Sequence, residues 1–265
     1  MIDIHHHLLW GLDDGATSVE TSLAMARMAV ADGITHVVCS PHANAQYDYD
    51  PEGVAAQIAE LQQMLDNEKI ALKLGRGCDF HLSFDNIEQA QAEPARYSIN
   101  GLGYLLVELP DFGLPTGLAE VFYQMQIAGM TPILTHPERN KTLQTDQTRL
   151  LEWLRGGLLV QVTAGSVTGR MGKRAQKMAH ELLANHWVHF LATDAHNTSS
   201  RPPLMHEAFE VVAKRYGPDY AHLLCNSNPL AAFMGKPMPP QLEPLNLYAE
   251  FKDKSWWQRF AERFS

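Results

Sequence analysis

Residues 104–137 read YLLVELPDFGLPTGLAEVFYQMQIAGMTPILTHP, and they indicate the class of fold. Two short apolar runs, YLLVELP and TPILTHP, have the length and composition of buried strands. The amphipathic segment between them predicts a helix near residues 117–129. A strand, a helix and another strand in this order predict parallel strands of one sheet. The same alternation extends along the chain in both directions.

Five further apolar runs are typical of strands: IDIHHHL, THVVCSPH, IALKLGRGCDF, LLVQVTAG and VHFLATDAH. The intervening segments favour helices near residues 18–32, after Asp50-Pro51, and near 146–155, 172–186 and 203–216. For the first of these helices, Thr17 and Glu20 form a capping-box pattern and Gly33 is a stop signal. About seven strand–helix units without a linker predict one α/β domain, a distorted (β/α)7-type barrel over residues 1–237.

The segment after this domain has a different composition. The stretch KPMPPQLEPLNLY is rich in proline and predicted to be extended along the surface, and AEFKDKSWWQRFAERFS favours an amphipathic helix. We therefore assign residues 238–265 to a Pro-rich stretch and an amphipathic C-terminal tail. Docking on the barrel and contact with a membrane surface or a partner are both consistent with this pattern.

Composition restricts the kind of protein. Hydrophobic residues make up 45% of the 265 residues, which is enough for a sizeable core. The formal net charge of −9 argues against a general nucleic-acid binder, because such a protein would carry a basic stripe. Cys39, Cys78 and Cys225 are widely spaced and form no paired motif, so we expect reduced thiols in a cytoplasmic protein. No stretch has the pattern of a signal peptide or a membrane span.

The first strand candidate contains three consecutive histidines. Side chains alternate between the two faces of a strand, so His5 and His7 point to one side, whereas His6 points to the other with Ile2 and Ile4. A purification tag would be longer and would not be interleaved with a buried strand. We therefore expect His5 and His7, but not His6, in a functional site.

Polar side chains follow the carboxyl ends of most predicted strands, where functional groups lie in parallel α/β barrels. Five histidines and four carboxylates occupy these positions or the loop after the first strand: His5, His7, Asp14, His42, Asp79, Glu108, His136, Asp194 and His196. Imidazole and carboxylate ligands together suit manganese, iron or zinc. Nine candidates exceed the needs of one ion, so two or three ions are predicted. Such clusters are typical of sites that clamp a phosphate and activate a water.

Each of these residues has a plainer role when it is taken alone. The chain contains 13 histidines, a single histidine is usually a surface or core residue, and Asp14 could cap a turn. Glu108 is harder to account for, because a carboxylate at the end of an apolar strand is costly unless a metal or cation neutralises it. The case for a metal site is therefore the combination of H-x-H, the strand-end Glu, THPER and TDAH.

Two arginines lie close in sequence to these candidates. Arg139 belongs to THPERN and Arg201 ends the stretch DAHNTSSR. A guanidinium group can donate two parallel hydrogen bonds to phosphate oxygens. A surface ion pair is the alternative for each arginine. Near a metal cluster, we expect Arg139 and Arg201 to bind an anionic substrate.

The motifs MIDIHHHLLWGLDDGA, CSPH, LLVELP, PILTHPERN, QVTAGSVTGRMG and TDAHN with RPP resemble, in this order, the polymerase-and-histidinol-phosphatase (PHP) superfamily. Within it they resemble the manganese-dependent bacterial protein-tyrosine phosphatases of the capsule and exopolysaccharide type (CpsB/CapC-like). The resemblance covers roughly residues 1–235. It implies a PHP barrel and a phosphoric monoester hydrolase that uses manganese.

The resemblance also implies three ion sites with these ligands: His5, His7, Glu108 and Asp194 for the first; Glu108, His136 and Asp79 for the second; and Asp14, His42 and His196 for the third. Arg139 and Arg201 match the family's phosphate-handling arginines. Asp79 departs from the family pattern, because it stands where a glutamate of a G-x-E motif is expected. Its side chain is shorter by one methylene, so direct ligation and contact through water both stay open for Asp79.

The resemblance implies hydrolysis of phosphotyrosine in a protein by a metal-activated water. The implied substrate is a bacterial tyrosine kinase that controls capsule or exopolysaccharide synthesis. No arginine lies six residues after any of the three cysteines, so the C-x5-R loop of cysteine-based tyrosine phosphatases is absent from the sequence. Two alternatives stay open: a PHP-type phosphatase of a small phosphomonoester, such as histidinol phosphate or a sugar phosphate, and a non-catalytic metal-binding scaffold.

Overall fold

All seven apolar runs form strands in the computed structural model, which describes residues 1–110 and 113–248. Two of the runs are interrupted by two residues each, so they form two strands instead of one. Within the described residues, the strands are β1 (Ile2–His6), β2 (His36–Cys39), β3 (His42–Ala43), β4 (Lys73–Arg76), β5 (Asp79–His81), β6 (Tyr104–Glu108), β7 (Thr131–Thr135), β8 (Leu159–Thr163) and β9 (Phe190–Ala192).

The strands pair in parallel throughout and form two sheets. One sheet has the order β1-β2-β4 and the other the order β3-β5-β6-β7-β8-β9. A parallel bridge joins His6 to Ala195, and the backbone N–H of His7 donates to the carbonyl of Ala195 at 2.9 Å. The start of the chain is thereby joined to the segment after β9. The predicted α/β, single-domain class with parallel strands is confirmed.

The six predicted helices are all present, and the described residues contain five further helices. The helices are α1 (Val19–Ala31), α2 (Pro51–Asn67), α3 (Phe84–Ala92), α4 (Leu118–Ile127), α5 (Lys141–Thr145), α6 (Thr148–Arg155), α7 (Ala164–Val167), α8 (Lys173–Ala184), α9 (His206–Tyr216), α10 (Pro218–His222) and α11 (Asn228–Phe233). Two 3-10 turns, Ile99–Gly101 and Pro137–Arg139, and a π-helical turn, Leu223–Ser227, complete the regular structure of the described residues.

The predicted capping box of α1 is wrong by one residue. Ser18, not Thr17, is the N-cap, and its side-chain oxygen accepts a hydrogen bond from the backbone N–H of Thr21 at 3.3 Å. The prediction for α2 is confirmed. Asp50 caps that helix through both carboxylate oxygens, and Pro51 occupies its first position, where a missing N–H costs nothing.

Hydrophobic residues are buried on both faces of the sheets. Leu105 and Val107 pack in a large cluster with the helices, whereas Leu106 packs in a smaller cluster with Ile4 and Ile133. This alternation along β6 leaves the polar groups at the carboxyl ends of the strands as the place where a site can form.

The Pro-rich segment 236–248 has no helix or strand and runs along the surface, as predicted. It is attached by hydrogen bonds from Trp187 Nε1 to Leu245 O and from Arg155 Nε to Leu247 O, both at 2.9 Å. The predicted amphipathic helix of the tail lies outside the described residues. Among the helices described, none combines the length and the apolar character needed to span a bilayer.

Candidate metal centre

The structure brings all nine predicted ligands together at the carboxyl ends of the strands. Their ligand atoms form four overlapping groups, in each of which the atoms lie within 4.8 Å of one another. The groups are His5, His7 and Asp194; His5, Asp79 and His136; His42, Asp79 and Glu108; and His7, Asp14, His42 and His196. Parallel strands end at one edge, which is why residues from both ends of the chain converge here.

His5 lies at the middle of the buried part of this centre. Its Nε2 atom is 3.4 Å from Asp79 Oδ2, 3.4 Å from Asp194 Oδ1 and 3.3 Å from His7 Nε2. Two atoms that bind one ion at about 2.1 Å with tetrahedral angles are about 3.4 Å apart. These atoms therefore have the spacing of ligands to a common ion.

The outer nitrogens of the imidazole rings are held by hydrogen bonds that leave the inner nitrogens for an ion. His5 Nδ1 lies 3.0 Å from Gln161 Oε1, and His7 Nδ1 lies 2.7 Å from Asp13 Oδ2. His196 Nδ1 lies 3.0 Å from a backbone carbonyl. Such outer partners fix ring orientation and increase ligand basicity in metal sites.

Asp13 and Gln161 were not among the predicted site residues. Gln161 is a polar residue inside the apolar run LLVQVTAG, which is a usable signal. Asp13 stands beside Asp14 in LDDGA, and the pattern does not distinguish the two. In the structure Asp13 is almost buried and also accepts from the backbone N–H of His42 at 3.0 Å, whereas Asp14 faces the rings of His42 and His196.

One side of the centre is open to solvent. The side chain of Asp14 is 52% exposed, and its Oδ1 atom lies 3.4 Å from both His42 Nε2 and His196 Nε2. Glu108 is 19% exposed and lies between two histidines, 3.6 Å from His42 Nδ1 and 3.5 Å from His136 Nε2. A ligand can therefore reach the centre from this side.

The unpaired polar atoms of the centre fit a metal ion. His196 Nε2 and both carboxylate oxygens of Asp79 are buried, and none has a hydrogen-bond partner of good geometry among the described residues. Asp79 Oδ2 instead lies 3.4 Å from His5 Nε2 and 3.1 Å from His42 Nδ1, and a bound cation would compensate its buried charge in the same way as protonated rings. The nitrogen and oxygen donors suit manganese, iron or zinc, and no cysteine belongs to the four groups of described residues.

The side chains of the centre already carry opposing charges. Burial disfavours a charged His5, but Asp79 and Asp194 outweigh it and raise its pKa to about 10. Burial likewise opposes the charge of His42, and Asp79 raises its pKa to about 9. Burial and the charge of Asp79 raise the pKa of Glu108 to about 8. Because metal ligands must be deprotonated, metal binding exchanges these protons for a cation.

Both predicted phosphate-binding arginines reach the centre through one carboxylate. Arg139 Nη1 and Arg201 Nη2 each donate to Asp194 Oδ2, while the other oxygen of Asp194 faces His5 and His7. The two arginine side chains are 30% and 25% exposed. Asp194 therefore connects the histidine cluster to two cations that a substrate can contact.

Two residues of the centre have a left-handed backbone. His136 has φ 34° and Asp194 has φ 53°. Few residues other than glycine adopt this region, although His, Asp and Asn do so more readily than the rest. The turns place these side chains directly after β7 and β9, beside the other ligands.

The observed groups differ from the ion sites that the resemblance implies in how His5, His7, His42 and Glu108 are distributed, because each of the three histidines belongs to two groups. Glu108 groups with His42 and Asp79, not with His5 and His7. Asp79 belongs to two of the four groups, so its shorter side chain lies within ligand distance. His6 belongs to none of the groups found among the described residues. It is fully buried, and burial lowers its pKa to about 3.

Comparison with known proteins identifies the family. Residues 1–234 match the family model described as capsular polysaccharide synthesis, CpsB/CapC. The chain is 33% identical over 225 residues to the tyrosine-protein phosphatase YwqE of Bacillus subtilis (strain 168), covering 84% of this chain and 88% of that protein. It is 27% identical over 243 residues to the tyrosine-protein phosphatase CpsB of Streptococcus pneumoniae, covering 88% and 98%.

A solved structure agrees with this result. It comes from the crystal structures of YwqE from Bacillus subtilis and CpsB from Streptococcus pneumoniae, described as unique metal-dependent tyrosine phosphatases. The match has a TM-score of 0.86 at 31% identity and covers 92% of this chain and 98% of the other. The chain therefore belongs to the CpsB/CapC family of capsular polysaccharide synthesis.

Proposed function

We propose that this protein is a metal-dependent protein-tyrosine phosphatase, a phosphoric monoester hydrolase. The observation that carries the proposal is the convergence of nine nitrogen and oxygen ligands beside two arginines that share Asp194. The activities named for YwqE and CpsB, which this chain resembles over most of its length, support it.

The proposed cofactor is manganese, with two or three ions, and iron or zinc as alternatives. The proposed ligands are His5, His7, Asp14, His42, Asp79, Glu108, His136, Asp194 and His196. Bound ions supply Lewis-acid polarisation of the phosphoryl group and lower the pKa of an attacking water. The overlap of the four ligand groups through His5, His7, His42 and Asp79 supports more than one ion.

Arg139 and Arg201 are the proposed catalytic residues. Their guanidinium groups would donate to the phosphoryl oxygens and stabilise the charge that builds there as the ester bond breaks. Asp194 orients both groups before substrate binds. The three cysteines are buried, and burial raises the pKa of each thiol, so none provides the reactive thiolate of a cysteine-based phosphatase.

The proposed substrate is phosphotyrosine in a protein, in particular a bacterial tyrosine kinase that controls capsule or exopolysaccharide synthesis. The family description and the names of the relatives support this choice. The open side of the centre, at Asp14 and Glu108, also suits a protein-borne phosphate better than a closed pocket would. Hydrolysis of a small phosphomonoester is the alternative that the experiment below separates.

We also propose a distorted seven-stranded PHP barrel over residues 1–237. If β2 with β3 and β4 with β5 are counted as interrupted strands, there are seven strand positions. The His6–Ala195 bridge lies where the ring would close. Residues 238–265 would form an appended tail that contacts a membrane surface or a partner. Three free cysteines support a cytoplasmic location.

The test is hydrolysis of three esters by the purified protein: a phosphotyrosyl peptide, the matched phosphoseryl peptide and histidinol phosphate. Each is assayed with manganese and with excess chelator. We expect manganese-dependent release from the tyrosyl peptide alone. Preference for histidinol phosphate would replace the proposed substrate class, and release that survives chelation would contradict the metal mechanism.

A pair of matched variants tests the site itself. Asp79→Asn removes a buried carboxylate of the centre, and Asp66→Asn makes the same change on the exposed surface of α2. We expect only the first to lose activity and bound manganese. Equal activity of the two variants would show that hydrolysis takes place elsewhere.

A further inference from the structure

The exposed charges around the centre are unevenly distributed. Five cations on one side are exposed and lie in the loop between α7 and α8, in the first half of α8 and at the start of α5: Arg170, Lys173, Arg174, Lys177 and Lys141. We call these five residues the basic rim. Its position is notable because the protein as a whole has a net charge of −9.

The basic rim is continuous with the two arginines of the centre. Helix α8 starts at Lys173, shortly after the carboxyl end of β8, and it packs against the turn Pro137–Arg139 and against α5. Arg170 and Arg201 line the same crevice. A chain whose phosphate lies at Arg139 and Arg201 therefore has the rim immediately beside it.

The charges of the rim are largely unpaired. Within residues 1–110 and 113–248, Arg170 approaches Glu207 at 3.8 Å, and no ion pair is formed by the other four rim residues. A peptide carboxylate would thus not have to displace a strong internal partner.

Lys173 and Arg174 also carry positive charge at a position where a helix favours negative charge. Positive charge in the first turn is unfavourable, because the amino end of a helix carries a partial positive charge. In the described part of the chain, the other five helices of nine residues or more each have an acidic residue there, and α8 has none. The helix dipole therefore disfavours these two cations, whereas an anionic ligand would be attracted to them.

A second segment that borders the centre has the opposite charge. Residues 43–68 contain no lysine or arginine, and Asp48 and Glu52 are exposed there. This segment borders the centre, because the ring of Tyr47 lies parallel to that of His42 with centroids 6.1 Å apart. Asp85 extends the negative charge onto α3. An acidic ligand is therefore repelled from this segment and attracted to the rim.

We propose that the basic rim binds an acidic segment of the protein substrate next to its phosphotyrosine. This inference rests on the proposed phosphatase function and adds a sequence preference to it. One helical turn, from Lys173 to Lys177, spans about 6 Å, and an extended chain covers that distance in about two residues. The rim thus recognises two or three successive acidic residues beside the phosphotyrosine.

The test compares three phosphotyrosyl peptides that differ only in three residues on each side of the tyrosine, which are acidic, neutral or basic. We expect the KM of the wild-type protein to be about tenfold lower for the acidic than for the neutral peptide, with similar kcat. The difference should shrink as salt rises from about 0.05 to about 0.5 M, because exposed charges are screened. Equal KM values for the acidic and neutral peptides would overturn the proposal.

Two double variants locate the effect. Lys173→Glu with Arg174→Glu should remove the preference for the acidic peptide, and the helix should still form because acids suit its first turn. Lys73→Glu with Lys236→Glu makes the same change in net charge near the amino ends of the strands, so it should keep the preference. If the Lys173→Glu/Arg174→Glu variant keeps the preference for the acidic peptide, the proposed role of the rim is contradicted.

Two further measurements distinguish the rim from the catalytic centre and from a lipid-binding surface. Para-nitrophenyl phosphate is too small to reach α8, so its hydrolysis reports the proposed function alone. If the protein does not hydrolyse it, the proposed function is refuted. If the protein hydrolyses it but shows no peptide preference, only the proposed role of the rim is refuted. Binding to vesicles with and without phosphatidylserine tests a lipid surface. Loss of vesicle binding in the Lys173→Glu/Arg174→Glu variant, with equal peptide KM values, would assign the rim to a membrane instead.

Discussion

The candidate centre has a buried half and an open half. In the buried half, His5, Asp79 and Asp194 are at most 1% exposed. In the open half, His42, Glu108 and Asp14 have side chains that are 13%, 19% and 52% exposed. Both halves contain imidazole and carboxylate ligands, so they differ in their access to water and not in their chemistry.

This difference determines how much each half depends on an ion. Buried charges have lost their hydration, and only a cation or a charged neighbour compensates them. The ligands of the open half lose less hydration, and least of all Asp14. We therefore expect the buried half to hold its ion more tightly than the open half, and the open half to be the place where substrate and exchangeable metal enter.

The largest effect is expected for Asp194→Ala in the buried half. This carboxylate faces His5 and His7 and also receives both arginines, so its removal disrupts metal binding and phosphate binding together. We expect kcat on a phosphotyrosyl peptide to fall by about a thousandfold or more. Circular dichroism should still show the folded protein. Asp48→Ala on the exposed surface is the control, and near-normal turnover of the Asp194 variant would contradict the assignment.

A smaller loss, about a hundredfold in kcat, is expected for Arg139→Ala. Arg139 contacts the metal ligand Asp194 but is not itself a metal ligand, so bound manganese measured by mass spectrometry should be unchanged. If the variant loses metal as well, the main role of Arg139 is to hold Asp194 in place for the ion.

Asp14→Ala in the open half should lower the phosphatase activity about tenfold at micromolar manganese, because one exposed ligand of a weak site is lost. Excess manganese should restore most of this activity. The same titration should not rescue Asp79→Ala in the buried half. Rescue of both variants, or of neither, would show that the two halves bind metal equally well.

The smallest effect is a release of protons. The raised pKa values of His5 (about 10), His42 (about 9) and Glu108 (about 8) mean that all three groups are protonated at pH 7 before metal binds. Metal loading at pH 7 should therefore release about three protons, and affinity should rise as the pH approaches these values. Calorimetry in buffers of different ionisation enthalpy measures this number. His42→Ala should reduce it by about one, and no release would mean that all three groups are already deprotonated.

The sequence was sufficient to predict the strands and the convergence of nine polar residues. Apolar runs of strand length are buried wherever they lie, and parallel topology brings the strand ends to one edge, as for Glu108 and His136. Short helices such as α5 and α7 could not be predicted, because four or five residues show no clear helical periodicity.

Other features depend on side-chain direction, which residue type and spacing do not specify. Asp13 and Asp14 are adjacent and chemically identical, yet one orients His7 and the other faces the open ligands. The place of Glu108 beside His42 likewise follows from the direction of one flexible side chain. The division of two apolar runs into separate strands arises from local breaks that the hydrophobic pattern does not show.

The left-handed backbone at His136 and Asp194 has a consequence for protein engineering. At these two positions a replacement must supply a ligand atom and also tolerate a backbone that favours Gly, Asn, Asp and His. A redesign for a different metal would therefore keep positions 136 and 194 and vary Asp14 and Glu108, whose backbone is not left-handed. The freedom to change metal preference by mutation is thus concentrated on the solvent-facing side of the centre.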